Sequence, residues 1–318
     1  MPLVTPFHSR LEEINQTGIW KNWSGYLVAP QYQYSLNSEY YSVRNSVSLL
    51  DTSPLFKYSF SGPDAKVLLE RILVRDIGLC EVGRAQYTCW CNERGFVLQD
   101  GVVMQASPGE YRLTAAESTL RYFRNVAREM GLLEVDIEDI SSGFGILSLQ
   151  GPEAFNVIHE LSGIPRTLNY FGVIQTNILG CDVTVSRTGY TGDLGFEVWV
   201  RSGDALQVWD ALVSAGRDYN ITPIGTTALK MARVEAGLLL MGTDFFTSRV
   251  AWVDAQRETP NELGWGWMLK GLEEDRRDFI GRGALEEELE MQTSRWKTVG
   301  ITVDWHQYES TYTEVGIL

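Results

Sequence analysis

Ser186-Arg187-Thr188-Gly189-Tyr190-Thr191-Gly192-Asp193-Leu194-Gly195-Phe196-Glu197 sets three glycines at a spacing of three around a tyrosine and ends on a carboxylate. The spacing excludes a dinucleotide fingerprint, which needs G-x-G-x-x-G between a strand and a helix. Here the glycines separate two strand-like runs, Val183-Thr184-Val185 and Phe196 to Val200. A hairpin loop tolerant of unusual backbone angles fits that context. It would bring an aromatic, Tyr190, and a carboxylate, Glu197, beside one site. On spacing alone, a plain glycine-rich turn fits equally well.

Other chemistry-bearing groups also lie at turns. Asp100 follows the tight turn Asn92-Glu93-Arg94-Gly95 and precedes Gly101; on its own, such an aspartate is usually a solvated turn residue. Arg233 lies on or beside the apolar face of a helix expected at Thr226–Ala236, just ahead of Glu235 and Gly237. No nucleophilic triad emerges, because His8 and His306 sit near the ends and His159 falls on an expected core helix; no P-loop is present. The cysteines, Cys80, Cys89, Cys91 and Cys181, form C-x-C plus two singles, neither a disulfide framework nor a zinc pattern. They are expected to be reduced and mostly in the core. With three histidines in the chain, no metal site is expected.

The 318 residues exceed the usual size of one core, so two or three domains are expected. A hydrophobic content of 44%, with 10 Trp, 14 Tyr and 12 Phe, suffices for real cores and an aromatic-lined pocket. The net charge of −14, with no basic run, argues against nucleic acid as a partner. The amino terminus lacks an apolar signal segment, and no run is long enough to span a membrane, so a cytoplasmic location is expected.

The elements that must position these groups show a repeat. Phe60-Ser61-Gly62-Pro63-Asp64-Ala65 resembles Leu149-Gln150-Gly151-Pro152-Glu153-Ala154. In each, a strand ends, Gly-Pro turns, and a helix opens with an acidic residue, which suits a first helical turn. Two related α+β units follow. Helices are expected at Pro63–Val74, Ser118–Met130, Pro152–Leu161, Ala205–Ala215 and Thr226–Ala236. Strands are expected at Phe56–Phe60, Ala85–Cys91, Gly101–Gln105, Tyr111–Thr114 and Ile146–Leu149. Asp254–Gly264 reads as a loop, and the alternating Thr298–Val303 as a new strand before the tail that runs to Leu318.

Five ordered motifs resemble the T-protein family, the aminomethyltransferases of glycine cleavage. They are Asn92 to Gly95 with Asp100, Leu149 to Pro152, Ser186 to Glu197, Arg233 to Asp244, and Gly266-Trp267-Met268-Leu269-Lys270 with Asp278 to Arg282. The match runs from about Thr5 to Asp304. The resemblance implies a multi-domain α+β cloverleaf around a central folate site, with its C-terminal β-barrel domain only begun. The division it implies is 1–140, 141–290 and 291–318.

Carried over by position, the resemblance implies tetrahydrofolate as cofactor. Glu197 would accept N–H bonds from the pterin. Tyr87, Tyr190 and Trp267 would line the ring. Arg233 would hold a carboxylate or phenolate. Asp100 would stabilise positive charge near the reacting nitrogens or shuttle a proton. Catalysis would thus fall to Asp100, Tyr190 and Arg233, and cofactor binding to Tyr87, Asp100, Tyr190, Glu197, Arg233 and Trp267.

Two departures steer the choice of substrate. Gln99-Asp100 stands where two aspartates are common, and Asp51-Thr52-Ser53-Pro54 lacks the histidine of the family's turn. Tyr87 to Asn92 and Val303-Asp304-Trp305 are more similar to the folate-dependent demethylases. The leading expectation is a tetrahydrofolate-dependent methyltransferase. It would demethylate a small donor (a methoxylated aromatic, methylamine or methylsulfonio compound) to give 5-methyltetrahydrofolate. The alternatives are an aminomethyltransferase acting on a lipoyl carrier protein and a non-catalytic folate binder. Against the last, Asn261 to Trp267 lacks the cysteine of such relatives. Trp20, Trp23, Tyr26, Tyr32 and Tyr34 could line a donor pocket, although core packing is their more usual role.

Overall fold

The computed structural model describes residues 2–272 and 277–314, and shows an α+β chain built on two large open sheets, with a two-stranded hairpin of Lys21–Trp23 and Tyr26–Val28 beside them. Four residues of the expected tail, 315–318, lie outside the described residues. The first sheet has five antiparallel strands in the order Arg84–Cys91, Val97–Ser107, Glu110–Ala115, Phe56–Ser61, Asp136–Asp139. The second has six, ordered Val173–Ile178, Cys181–Ser186, Gly195–Arg201, Phe144–Gln150, Val47–Asp51, Ile221–Pro223. Its pairings are antiparallel except that of Ile221–Pro223 with Val47–Asp51. Neither sheet closes into a barrel among the described residues.

The period-two alternation of each strand sorts its side chains between two faces. Phe196, Val198 and Val200 point into a core with helices Ala154–Ser162 and Ala205–Ala215 and with Phe7, which is fully buried. Tyr58, Phe60, Trp90, Leu98 and Leu113 do the same in the first sheet, against helices Ala65–Ile72 and Leu120–Glu129. The inner faces meet in a smaller cluster, Ala85 and Met104 against Ile146, Val173 and Trp199. The sheets are also stitched by backbone bonds, from Ala85 N to Phe171 O at 2.8 Å and from Val173 N to Gly83 O at 2.7 Å.

The Gly-Pro repeat is a repeat of structure. Each copy ends a strand and opens a helix, Ala65–Ile72 or Ala154–Ser162. Gly62 and Gly151 have φ of 99° and 126°, and a Cβ on either would strike a backbone carbonyl, of Glu134 or Ser46. The acidic residues after them have different tasks: Asp64 accepts the backbone N–H groups of Leu133 and Glu134, whereas Glu153 accepts from the Asn156 amide.

The five expected helices form within two residues of their expected ends. The strand expected at Thr298–Val303 does not form; those residues are exposed and unladdered, and a helix follows at Trp305–Glu314. Its alternation is suitable for a strand, but a strand requires a neighbour to receive its backbone groups. No elements are expected from the sequence before Phe56, where helices His8–Ile14 and Leu36–Asn45 form. Glu39, fully buried on the second of these, accepts the backbone N–H groups of Tyr32, Gln33 and Gly225 at 2.6–2.8 Å. It thereby anchors the start of helix Thr226–Glu235.

Candidate active site

The hairpin from Ser186 to Glu197 joins two paired strands and wraps around one buried side chain, Gln150. The Gln150 amide donates to Ser148 Oγ at 3.0 Å and to Thr188 O at 3.3 Å, and its oxygen accepts from Thr191 Oγ1 at 3.0 Å. A Cβ on either Gly189 or Gly195 would collide with that amide, and one on Gly192 would meet Ala236. The glycine spacing therefore lets the loop close over Gln150 on one side and against the end of helix Thr226–Glu235 on the other.

Glu197 shares the inner face with Trp199, in a row that crosses the second sheet as Leu50, Ser148, Glu197, Ser186, Val173. Its Oε2 accepts a hydrogen bond from Thr188 Oγ1, which lies 2.7 Å from Ser186 Oγ. Burial pushes the carboxyl above its ordinary pKa, and the Thr188 bond pulls the other way.

Asp100 lies on the inner face of the first sheet, directly across from Cys89. Its Oδ2 accepts the Tyr87 hydroxyl at 2.7 Å. Burial pushes its pKa up to about 6, against the stabilising Tyr87 bond. The same pairing, with burial, holds the Tyr87 phenol protonated far above neutral pH. Tyr190 lies within electrostatic reach of Asp100, Arg233 and Asp244, and burial with the Asp100 charge keeps its phenol protonated too. Its hydroxyl donates to the Leu239 carbonyl. The structure thus draws Tyr87, Asp100 and Tyr190, from distant parts of the sequence, into one cluster. Glu197 stands apart, on the facing sheet.

Arg233 is almost fully buried, and the carboxylate it holds belongs to the chain itself. Its Nη1 pairs with Asp244 and donates to Leu238 O at 3.1 Å. Asp244 also accepts Leu240 N at 2.7 Å. The pair folds the 238–244 turn and so holds the Leu239 carbonyl where Tyr190 reaches it. Trp267 is 42% exposed and lies under the Arg75 guanidinium, 5.2 Å from the ring centre. The tryptophan against Tyr87 is Trp265, edge to face at 5.6 Å. Of the aromatic residues considered for a donor pocket, Tyr32 is core and Tyr34 is exposed.

Five contributors, Gln150, Thr188, Trp265, Arg44 and Tyr40, carry no mark of their role in the sequence. Gln150 and Thr188 lay inside quoted motifs, but nothing in their spacing assigned them a task. Trp265 stands two residues before Trp267, the tryptophan of the family-like motif. Arg44, on helix Leu36–Asn45, bonds Thr191 O at 2.8 Å, Asp193, Ala232 O at 3.2 Å and Glu235 at 2.5 Å. Tyr40 completes this latch by donating to Glu235 at 2.6 Å. It ties the glycine loop to helix Thr226–Glu235 from 147 to 191 residues away.

Among the described residues, no group of three His, Cys, Asp or Glu could hold a metal ion. The four cysteines are free and buried. No described helix is long and apolar enough to cross a membrane.

The GCVT N-terminal domain matches residues 8–270. An aminomethyltransferase of Saccharopolyspora erythraea is 30% identical over 305 residues, 95% of this chain and 79% of that protein. The gamma subunit of a heme-dependent oxidative N-demethylase from Ectopseudomonas mendocina is 32% identical over 295 residues, covering 90% and 74%. In fold, the chain is similar to the glycine cleavage system aminomethyltransferase T of Bartonella henselae, with a TM-score of 0.78 at 24% identity over 92% of this chain and 76% of that one.

Proposed function

The chain belongs to the GCVT N-terminal domain family, and from that premise we propose that it is a tetrahydrofolate-dependent one-carbon transferase that demethylates a small molecule. The observation that carries this reading is the placement of two carboxyl groups, Glu197 and Asp100, on the inner faces of the two sheets, each with one oxygen engaged by a single hydroxyl. A pterin suits that donor set. Its adjacent N–H groups would offer Glu197 the donors that a half-buried carboxylate needs, and Tyr87 with Trp265 would supply apolar walls.

Bound tetrahydrofolate would supply the nitrogen nucleophile that takes the one-carbon unit. The chain's own residues do the rest. Glu197 binds and orients the ring. Asp100, poised near pH 6, stabilises developing positive charge or moves a proton close to neutral pH. Tyr190 closes the site by its bond to the Leu239 carbonyl, and Arg233 with Asp244 holds that carbonyl in place.

The electrostatics favour a cationic donor, an N-methyl or methylsulfonio compound, over a methoxylated aromatic. A cationic methyl donor releases a neutral product and requires no counter-charge. A phenolate leaving group requires a cation, yet Arg233 is held by Asp244, and Arg75 donates to the Tyr87 carbonyl at 3.3 Å. The test is incubation with tetrahydrofolate and a panel of methylamines, methylsulfonio compounds and methoxyaromatics. The reading expects 5-methyltetrahydrofolate from a cationic donor; folate binding without methylated product from any donor overturns it.

A second reading is supported by the similarity to the Saccharopolyspora erythraea aminomethyltransferase. It has the same site acting on an aminomethyl group borne by a lipoyl carrier protein. Ammonia release with that carrier would establish it.

A further inference from the structure

We infer that Thr188, seated by Gln150, is the positioning residue that fixes Glu197 as an ionised, one-sided acceptor for the adjacent N–H donors of the bound heterocycle. The inference rests on the folate reading above, but concerns a residue for which that reading has no task.

The geometry is a chain of fixed hydroxyls. Gln150 is fully buried and bonds the backbone carbonyl of Thr188, which sets where that residue lies. Thr188 is itself only 4% exposed, and its hydroxyl lies between Ser186 Oγ and Glu197 Oε2. A hydroxyl has one proton. Directed at Glu197, it favours the carboxylate over the acid, and the Ser186 hydroxyl must then donate to Thr188. The result is a directional relay, Ser186 to Thr188 to Glu197. It occupies Oε2 and leaves Oε1 to accept from a ligand.

The other groups near Glu197 leave this balance to Thr188. Its sheet neighbours Ser148 and Ser186 carry no charge. On the same loop, Arg187 is turned to the Leu168 carbonyl at 2.8 Å. On the facing sheet, Arg112 is engaged with Thr184 at 3.3 Å and with the Phe144 ring, and Asp100 is bonded to Tyr87. Burial raises the Glu197 pKa and the Thr188 bond opposes that rise.

Sign and size follow. Ligand binding needs the carboxylate, so it fails as pH falls through the Glu197 pKa. Removing the Thr188 hydroxyl raises that pKa, and the acid limb of binding moves to higher pH. A hydrogen bond to a charged group has the strength to change affinity by about tenfold or more.

The experiment measures tetrahydrofolate affinity from pH 5 to 9 by anaerobic titration calorimetry, for wild type, Thr188→Val and Thr188→Ser, with folding checked by circular dichroism. The expected result is about tenfold weaker binding by Thr188→Val at pH 7, an acid limb displaced upward, and restoration of both by Thr188→Ser. A folded Thr188→Val with the wild-type profile overturns the inference while leaving the folate reading intact. If Thr188→Val does not fold, Thr188→Ala decides: weaker binding with an acid limb displaced upward supports the inference, and a wild-type profile overturns it. Failure of wild type to bind at any pH overturns the folate reading itself, and this inference with it.

Discussion

Tyr87 donates its hydroxyl to Asp100 across two neighbouring strands at 2.7 Å, on the inner face of the first sheet. The bond orients the carboxyl, yet burial still holds its pKa near 6. Asp100 is thus a group whose charge is costly to the fold and available to chemistry.

That cost predicts a trade between stability and activity. The folded-state pKa lies above the unfolded value, so the folded form binds the proton more tightly, and Asp100 reduces stability as pH rises from about 4 through 6. Asp100→Asn should stabilise the protein at pH 7.5 by about 1–3 kcal/mol, with little difference from wild type at pH 4. Transfer activity should fall at least 100-fold. Thermal melts at the two pH values, with product assays, check both halves.

Tyr190→Phe removes the bond to the Leu239 carbonyl but keeps the ring. The carbonyl turn stays pinned by Arg233 and Asp244, so the fold should lose no more than about 1 kcal/mol. Product formation should drop about tenfold or more, with the larger share in kcat, because ring burial is retained while closure is lost. Steady-state kinetics beside a denaturant melt separate the two effects.

Arg44→Met opens the latch between the glycine loop and helix Thr226–Glu235. Asp193 and Glu235 are partly exposed and regain water, so the stability loss should be modest, about 1–2 kcal/mol. Folate affinity should fall more than Tm suggests, because the loop that carries Thr188 and Tyr190 is then held on one side only. High salt should weaken wild type toward the variant. Titrations at 0.05 M and about 0.5 M salt read this out.

Much of this organisation was legible in local pattern. The apolar face of Thr226–Ala236 marks its helix, and the Gly-Pro repeat marks both strand-to-helix turns, because a positive φ beside a carbonyl demands glycine wherever it occurs. The glycine spacing at 189, 192 and 195 marked the loop that carries Tyr190 and leads to Glu197. The illegible parts depend on partners far away in sequence. No element is expected at Val47–Asp51 from the sequence, yet it pairs with Phe144–Gln150, and so the amino-terminal region crosses into the second sheet. Thr298–Val303 has the alternation of a strand but no neighbour among the described residues. Arg233 advertised a free cation because Asp244, its partner, is brought to it only by the turn that they make together. Nothing local to Arg44 or Gln150 distinguishes a clasp from an ordinary surface or core residue.

The central claim is that Glu197 receives the pterin ring of tetrahydrofolate. Titration of the full chain with tetrahydrofolate, beside Glu197→Gln, tests it most directly. Glutamine keeps the size and the bond from Thr188 but replaces one acceptor oxygen with a donor. The account predicts saturable one-to-one binding by wild type and at least tenfold weaker binding by the folded variant. Equal affinities for the two proteins, or no binding by wild type, would contradict it.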